Sequence, residues 1–186
     1  MRFYFLLFVS SLMFASYAKS PKKDSLYIEG LRNEGIELAK NGNLIGSIER
    51  IEFAITEARL AKLPEQYINE RLRDFLANRY SNIGDFDRAI ELTKGLESFF
   101  KQNGDLENEL ETKTNLGVYN QNIGRHIVAY NYFFEGWKIQ KDTDELEDKI
   151  DWLDGLSATC IELGKFKDAK NYLEEAESLL EICPSE

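Results

Sequence analysis

The chain has 186 residues, with 23 Lys and Arg against 33 Asp and Glu, a formal charge of −10, and 43% hydrophobic and 12% aromatic content. This is the balance of an ordinary globular protein, and its acidity argues against nucleic acid or anionic lipid as the main partner, because phosphate contacts need clustered Lys and Arg. One histidine (His126) and two cysteines (Cys160, Cys183) cannot build a zinc site, and no cofactor is expected.

Met1-Arg2 gives a positive start, and residues 3–14 are apolar except for Ser10 and Ser11. Ser16 and Ala18 then set small residues at the spacing a signal peptidase needs, and Lys19 opens a polar chain. Twelve apolar residues span about 18 Å as a helix, well short of the ~30 Å hydrocarbon core. Residues 1–18 therefore read as a signal peptide cleaved after Ala18, which would send the chain to the periplasm or outside the cell. Residues 19–24 read as a short N-terminal segment, and nothing beyond them is apolar enough for stable membrane insertion.

From residue 25 the pattern is helical throughout. Apolar spacing and breaks place helices near 25–41, 44–61, 66–82, 86–102, 106–123, 126–141, 144–163 and 166–182, with no strand. The breaks sit at Leu63-Pro64, Asn103-Gly104 and Asp142-Thr143-Asp144. Leu72, Phe75, Leu76, Tyr80 and Ile83 form one apolar stripe, and Ala89, Ile90, Leu92, Leu96, Phe99 and Phe100 form the next.

The helices repeat. Gly84, Gly124 and Gly164 are 40 residues apart, and so are Ala89, Ala129 and Ala169, and Leu76, Leu116 and Leu156. A weaker copy comes first, with Gly42 standing 42 residues before Gly84. The units lie near 25–63, 65–103, 105–142 and 143–183, within a repeat domain over 25–183. The alanines mark close helix crossings, and each glycine suits a left-handed helix cap.

The single residues that could carry chemistry read as structural. His126 fills the slot of Phe86 and Phe166, a packing position. The acidic run Asp142, Asp144, Glu145, Glu147, Asp148 lacks the glycine of a calcium loop and suits a helix start. Tyr130, Phe133, Phe134 and Trp137 fall on one helical face and should fill the core between the third and fourth units, with Tyr132 pointing elsewhere. In an antiparallel pair Cys183 lies about 20 Å beyond the level of Cys160, too far for a disulfide. Cys160 is expected in the core and Cys183 as a loose thiol.

These units resemble the tetratricopeptide repeat (TPR) family. The residues that carry the resemblance are Leu76-Ala77, Tyr80, Gly84, Phe86 and Ala89; Leu116-Gly117, Gly124, Ala129 and Phe133; and Leu156-Ser157, Gly164, Phe166, Ala169, Leu173 and Ala176. Thr93 and Gly136 depart from the pattern, and the first unit, with Glu34 and Ser47 in core slots, reads as a cap. The resemblance implies an all-α, right-handed α-solenoid of about four antiparallel helix pairs. It also implies a concave groove lined by first helices, through which a non-enzymatic scaffold binds another protein or peptide.

Carried onto this sequence, the groove positions are Arg32, Ile36 and Lys40; Arg71, Asp74, Asn78 and Asn82; Thr114, Asn115, Val118, Gln121 and Asn122; and Asp154, Ala158 and Glu162. Arg71, Asn78, Asn82, Asn115, Gln121 and Asn122 are the candidate peptide-binding residues, since amides donate to and accept from a peptide main chain together. The Lys and Asn clamp that some family members use on a terminal carboxylate is replaced here by Arg32 with Ile36 and Asp74 with Asn78. The array is also similar to the extracytoplasmic sensor portions of bacterial signalling proteins. An input domain, as a fragment or a stand-alone form, is the alternative reading.

Overall fold

A computed structural model describes residues 25–182 apart from residue 144. The expected signal peptide, the 19–24 segment, Asp144 and Cys183 lie outside the described residues. Eight helices follow in order: α1 Ser25–Lys40, α2 Leu44–Leu60, α3 over 65–82, α4 Phe86–Asn103, α5 Leu106–Asn122, α6 His126–Gln140, α7 Leu146–Glu162 and α8 Phe166–Leu180. No strand occurs among the described residues. The chain is an all-α, right-handed solenoid of four antiparallel pairs, with α1, α3, α5 and α7 as first helices and α2, α4, α6 and α8 as second helices.

The glycine register has a uniform geometry. Gly84, Gly124 and Gly164 take φ of 79°, 74° and 69°. The next residue's N–H in each case turns back onto the helix: Asp85 to the Tyr80 carbonyl at 2.9 Å, Arg125 to Asn120 at 2.8 Å and Lys165 to Cys160 at 2.8 Å. This is the Schellman closure, which satisfies the last carbonyls of the first helix. At two of the helix starts, the carboxylates of Asp85 and Asp105 accept from the N–H of Arg88 and Asn108, both at 3.3 Å. The repeat is thus a repeated turn as well as a repeated core.

Two local features differ from the spacing. Helix α7 begins at Leu146, with Glu145 at its N-cap, rather than at 144. Helix α3 is not uniform: α-helix Glu65–Ile68 and Asp74–Asn82 flank a π segment, Asn69–Arg73. The apolar stripe survives the wider turn because Ile68, Leu72 and Leu76 all stay buried.

The core forms two clusters along the stacked pairs, one running from α1 to α5 and the other lying around Phe133 from α5 to α8. Ala89, Ala129 and Ala169 are all buried at the helix crossings. In the first unit Ser47 holds the alanine slot, and Gly35 on the facing helix keeps the crossing close, since a Cβ there would sit 2.8 Å from Ile51 Cδ1. Glu34 of the same unit faces solvent and pairs with Arg50 at 3.3 Å, while Ser47 is buried. Phe133 is buried between α5 and α7, where a Cβ on Gly117 or Gly155 would meet its ring at 2.6 or 2.7 Å. Tyr130, Phe134 and Trp137 stack around it half-buried, and Tyr132 packs into the other cluster. Gly136, a departure from the repeat pattern, has its reason in the Trp152 indole, which lies where a side chain would project. Cys160 is fully buried.

Candidate functional site

The first helices lie side by side, and their shared face holds the candidate residues. Between α1 and α3 the face is filled. Arg32 donates from Nε to the Arg71 carbonyl at 2.8 Å and pairs with Glu29 at 2.9 Å. The π segment thus presents a carbonyl that finds its partner on another helix. The Phe75 ring lies under Arg79, 4.5 Å from the guanidinium carbon. The Arg71 side chain is exposed.

Between α3 and α5 the seam is polar and carries paired carboxylates. Asn78 donates to the Asp74 carbonyl at 3.3 Å and accepts from the Tyr119 hydroxyl at 3.3 Å. Burial, with the Glu111 carboxylate nearby, raises Asp74 to about 6. Burial first, then Asp74, pushes Tyr119 up to about 12. Asn82 and Asn122 end their helices exposed, and Asn122 donates to the Val118 carbonyl at 2.9 Å. Gln121 is half-buried beside that end.

Between α5 and α7 the face opens into a cleft of about 690 Å³. Helix α5 lines it with Leu106, Glu107, Leu110, Glu111, Thr114 and Asn115, and α7 with Asp148, Asp151 and Trp152. The end of α6 and the following loop add Ile139, Gln140, Thr143 and Glu145. Five of these residues are carboxylates and none is basic. Burial, with Asp148, Asp154 and Glu147 around it, raises the Asp151 carboxyl above its ordinary value. The Trp152 indole N–H donates to Gln140 Oε1, and the Gln140 amide donates to Asp148 at 2.5 Å, which fixes the indole as one wall. Leu106 and Ile139 leave apolar surface exposed beside it.

The structure therefore brings Thr114 and Asn115 into one cleft and leaves Arg71, Asn78, Asn82, Gln121 and Asn122 on other parts of the face. Glu107, Glu111, Asp148, Asp151 and Trp152 are the lining residues that amide spacing does not single out. The 40-residue register sets Glu111 and Asp151 at equivalent positions on successive first helices, but that spacing alone does not separate them from solvent-facing carboxylates. No group of His, Cys, Asp and Glu that could hold a metal ion occurs among the described residues, and none of their helices is long and apolar enough to cross a membrane.

No family model and no curated protein matches the chain. Solved structures do. A kinesin-light-chain-like protein of Podospora anserina with nearly identical TPR-like repeats superposes at a TM-score of 0.75 and 16% identity, over 85% of this chain and 77% of that one. BtubC (BKLC) from P. vanneervenii gives a TM-score of 0.75 at 18% identity, over 87% and 67%. The fold is that of a TPR-like helical repeat. At these identities the likeness concerns the fold alone.

Proposed function

We propose that the chain is an exported scaffold protein, processed after Ala18, that holds a basic, extended stretch of another polypeptide in the cleft between α5 and α7. The observation that carries this is the composition of that cleft, in which five carboxylates surround Trp152, Leu106, Leu110 and Ile139 without a basic side chain. Such a surface accepts hydrogen bonds from Lys, Arg and main-chain N–H groups, and gives their aliphatic stems an apolar bed. Asn115 adds a group that both donates and accepts. The raised Asp151 carboxyl is the response of a crowded, partly desolvated anionic surface, which a bound cation would relieve. The net charge of −10 draws basic segments in from a distance.

The test is a titration of extended Lys- and Arg-containing peptides, with acidic peptides of equal length as the comparison. Binding should prefer the basic series and weaken as salt rises, because rim charges are screened within about 8 Å at physiological ionic strength. Neutralising the cleft with Glu111→Gln and Asp151→Asn together should weaken binding about fivefold to tenfold, taking up to ~1 kcal/mol for each exposed charge. Equal binding of basic and acidic peptides would overturn the reading. For export, the N-terminus of the protein recovered outside the cytoplasm should be Lys19, and intact Met1 in a soluble cytoplasmic fraction would refute it.

A further inference from the structure

Helix α8 keeps exposed a face that the inner pairs cover. In the 40-residue register, Leu173, Glu177 and Leu180 stand where α6 has Phe133, Trp137 and Gln140, and where α4 has Thr93, Glu97 and Phe100. On the inner helices the next first helix covers this face. Phe133 and Gln140 are buried, and both meet Trp152 of α7. Thr93 and Phe100 are buried on α4, and Glu97 accepts from Lys113 of α5 at 2.7 Å. On α8 the corresponding residues are open: Leu173 is 42% exposed and Leu180 57%, and Phe166 on the same line is 69% exposed.

The order of residues along this stripe says what fits it. Phe166, Lys170, Leu173, Glu177 and Leu180 follow one another at helical spacing. The apolar members are seven apart, and the two charges, of opposite sign, are also seven apart. Read backwards, the stripe matches itself. In an antiparallel pair centred on Leu173, Phe166 faces the other Leu180, Lys170 faces the other Glu177, and Leu173 faces its own copy. A parallel pair would set Lys on Lys and Glu on Glu.

The flanks agree. Lys165 and Lys167 stand with Lys170 in the first half, with Asp168 the one exception, and Glu174, Glu175 and Glu181 stand with Glu177 in the second. Lys170 pairs with Glu174 within the helix at 3.3 Å, but the separation of signs along α8 is the reverse of what the helix macrodipole favours and suits a helix lying the other way.

We propose that two copies of the chain associate through α8, antiparallel about a two-fold axis at Leu173. The contact is isologous, so the same patch serves both partners and the assembly closes at two. It uses none of the residues that line the cleft between α5 and α7, so each dimer carries two open clefts. A 15-residue helix is about 22 Å long, which places the contact at the small end of specific interfaces, with a dissociation constant roughly in the micromolar to tens-of-micromolar range.

The test is sedimentation velocity on the full chain from ~1 to ~200 µM. A monomer–dimer equilibrium is expected. Lys170→Glu should weaken it at least ~10-fold, because two like-charged contacts arise at once. Adding Glu177→Lys in the same chain makes the stripe self-complementary again and should bring association back to within about threefold of the parent. All these side chains are exposed, so melting temperatures should match the parent and report a folded chain.

Geometry is read by cysteine pairing in a Cys183→Ser background. Leu173→Cys should cross-link to itself on mild oxidation, whereas Phe166→Cys and Leu180→Cys should each stay single and cross-link only when mixed, since a disulfide needs Cα atoms within about 7 Å. A chain monomeric throughout the range overturns the proposal. So does association that ignores Lys170→Glu or is not restored by the double change, and so does self-cross-linking of Phe166→Cys as readily as Leu173→Cys.

Discussion

The Tyr119 hydroxyl donates to the Asn78 side-chain oxygen at 3.3 Å and ties α3 to α5 across 41 residues of sequence. The other end of the same amide donates to the Asp74 carbonyl, so both ends of Asn78 are engaged. Burial, with Asp74 and Glu111 close by, keeps the Tyr119 proton in place up to about pH 12, so the hydroxyl stays a donor. The stripe that carries Asn78 onto the groove face is also the seam between successive first helices. Asn115, one unit on, lines the cleft instead.

The two asparagines should therefore respond differently to truncation. Asn78→Ala removes a neutral hydrogen bond between helices, worth ~1 kcal/mol, and should lower the melting temperature by about 2–4 °C for a chain of this size. Asn115→Ala should leave melting within about 1 °C and weaken capture of a basic peptide about fivefold. Thermal melts and peptide titrations on both variants check this. The reverse pattern would place Asn78 at the ligand and Asn115 in the scaffold.

Lys113 is a buried cation that joins three helices. Its Nζ lies 2.7 Å from Glu97 on α4, 3.1 Å from Glu135 on α6 and 3.7 Å from Glu109 on its own helix. Burial works against its charge, and the hydrogen bonds to Glu97 and Glu135 outweigh burial and hold its pKa above the ordinary lysine value. Lys113→Met keeps the length of the side chain but leaves Glu97 and Glu109 facing each other unpaired. It should cost roughly 2–4 kcal/mol in urea denaturation. Adding Glu97→Gln and Glu109→Gln should recover more than half of that loss. A triple variant no more stable than Lys113→Met would show that the loss comes from packing rather than charge.

Asp74 makes stability depend on pH in a set direction. Its carboxyl titrates near 3.8 unperturbed and about 6 when folded, so the folded state holds the proton more tightly. The stability this contributes is full below the unfolded pKa and is lost as pH rises through the folded one. At neutral pH the ionised group is a burden on the fold. Asp74→Asn removes it and should stabilise the protein by about 1 kcal/mol at pH 7.5, a figure discounted for partial solvent access. The gain should shrink by more than half at pH 4.5. A gain that is constant with pH would assign the effect to the amide's hydrogen bonding.

Much of this was legible in the residues, and the remainder has physical reasons for being hidden. Gly84, Gly124 and Gly164 announce their turns because only a left-handed cap requires glycine there, and all three take positive φ. The π segment at Asn69–Arg73 leaves no mark, because one extra residue in a turn keeps Leu72 and Leu76 on the buried face. At the site, Thr114 and Asn115 were found among the groove positions that the resemblance implies. Glu111 and Asp151 were not, since a carboxylate on a helix face has the same spacing whether it meets bulk solvent or a cleft. What makes the cleft is the meeting of Ile139, Gln140 and Trp152 with α5, and long-range packing of that kind has no local signature.

Gly136 links stability to the shape of that cleft. A side chain there would overlap the Trp152 indole. The indole cannot easily yield, since its N–H is bonded to Gln140, whose amide is bonded in turn to Asp148. Gly136→Ala should therefore destabilise by about 1–3 kcal/mol, the usual cost of forcing volume into a packed contact. Because Trp152 and Gln140 line the cleft, basic-peptide binding should fall in the same variant at temperatures where it is fully folded. Gly95 on α4 is the matched comparison, because nothing lies within 4 Å of its added Cβ. Gly95→Ala should stabilise by roughly 0.5–1 kcal/mol, from the better helix propensity of alanine alone. Opposite signs of the two changes in thermal melts are the expected result. Equal effects would mean that the indole has room to move, and that its wall of the cleft is not fixed by the Trp152–Gln140–Asp148 chain of hydrogen bonds.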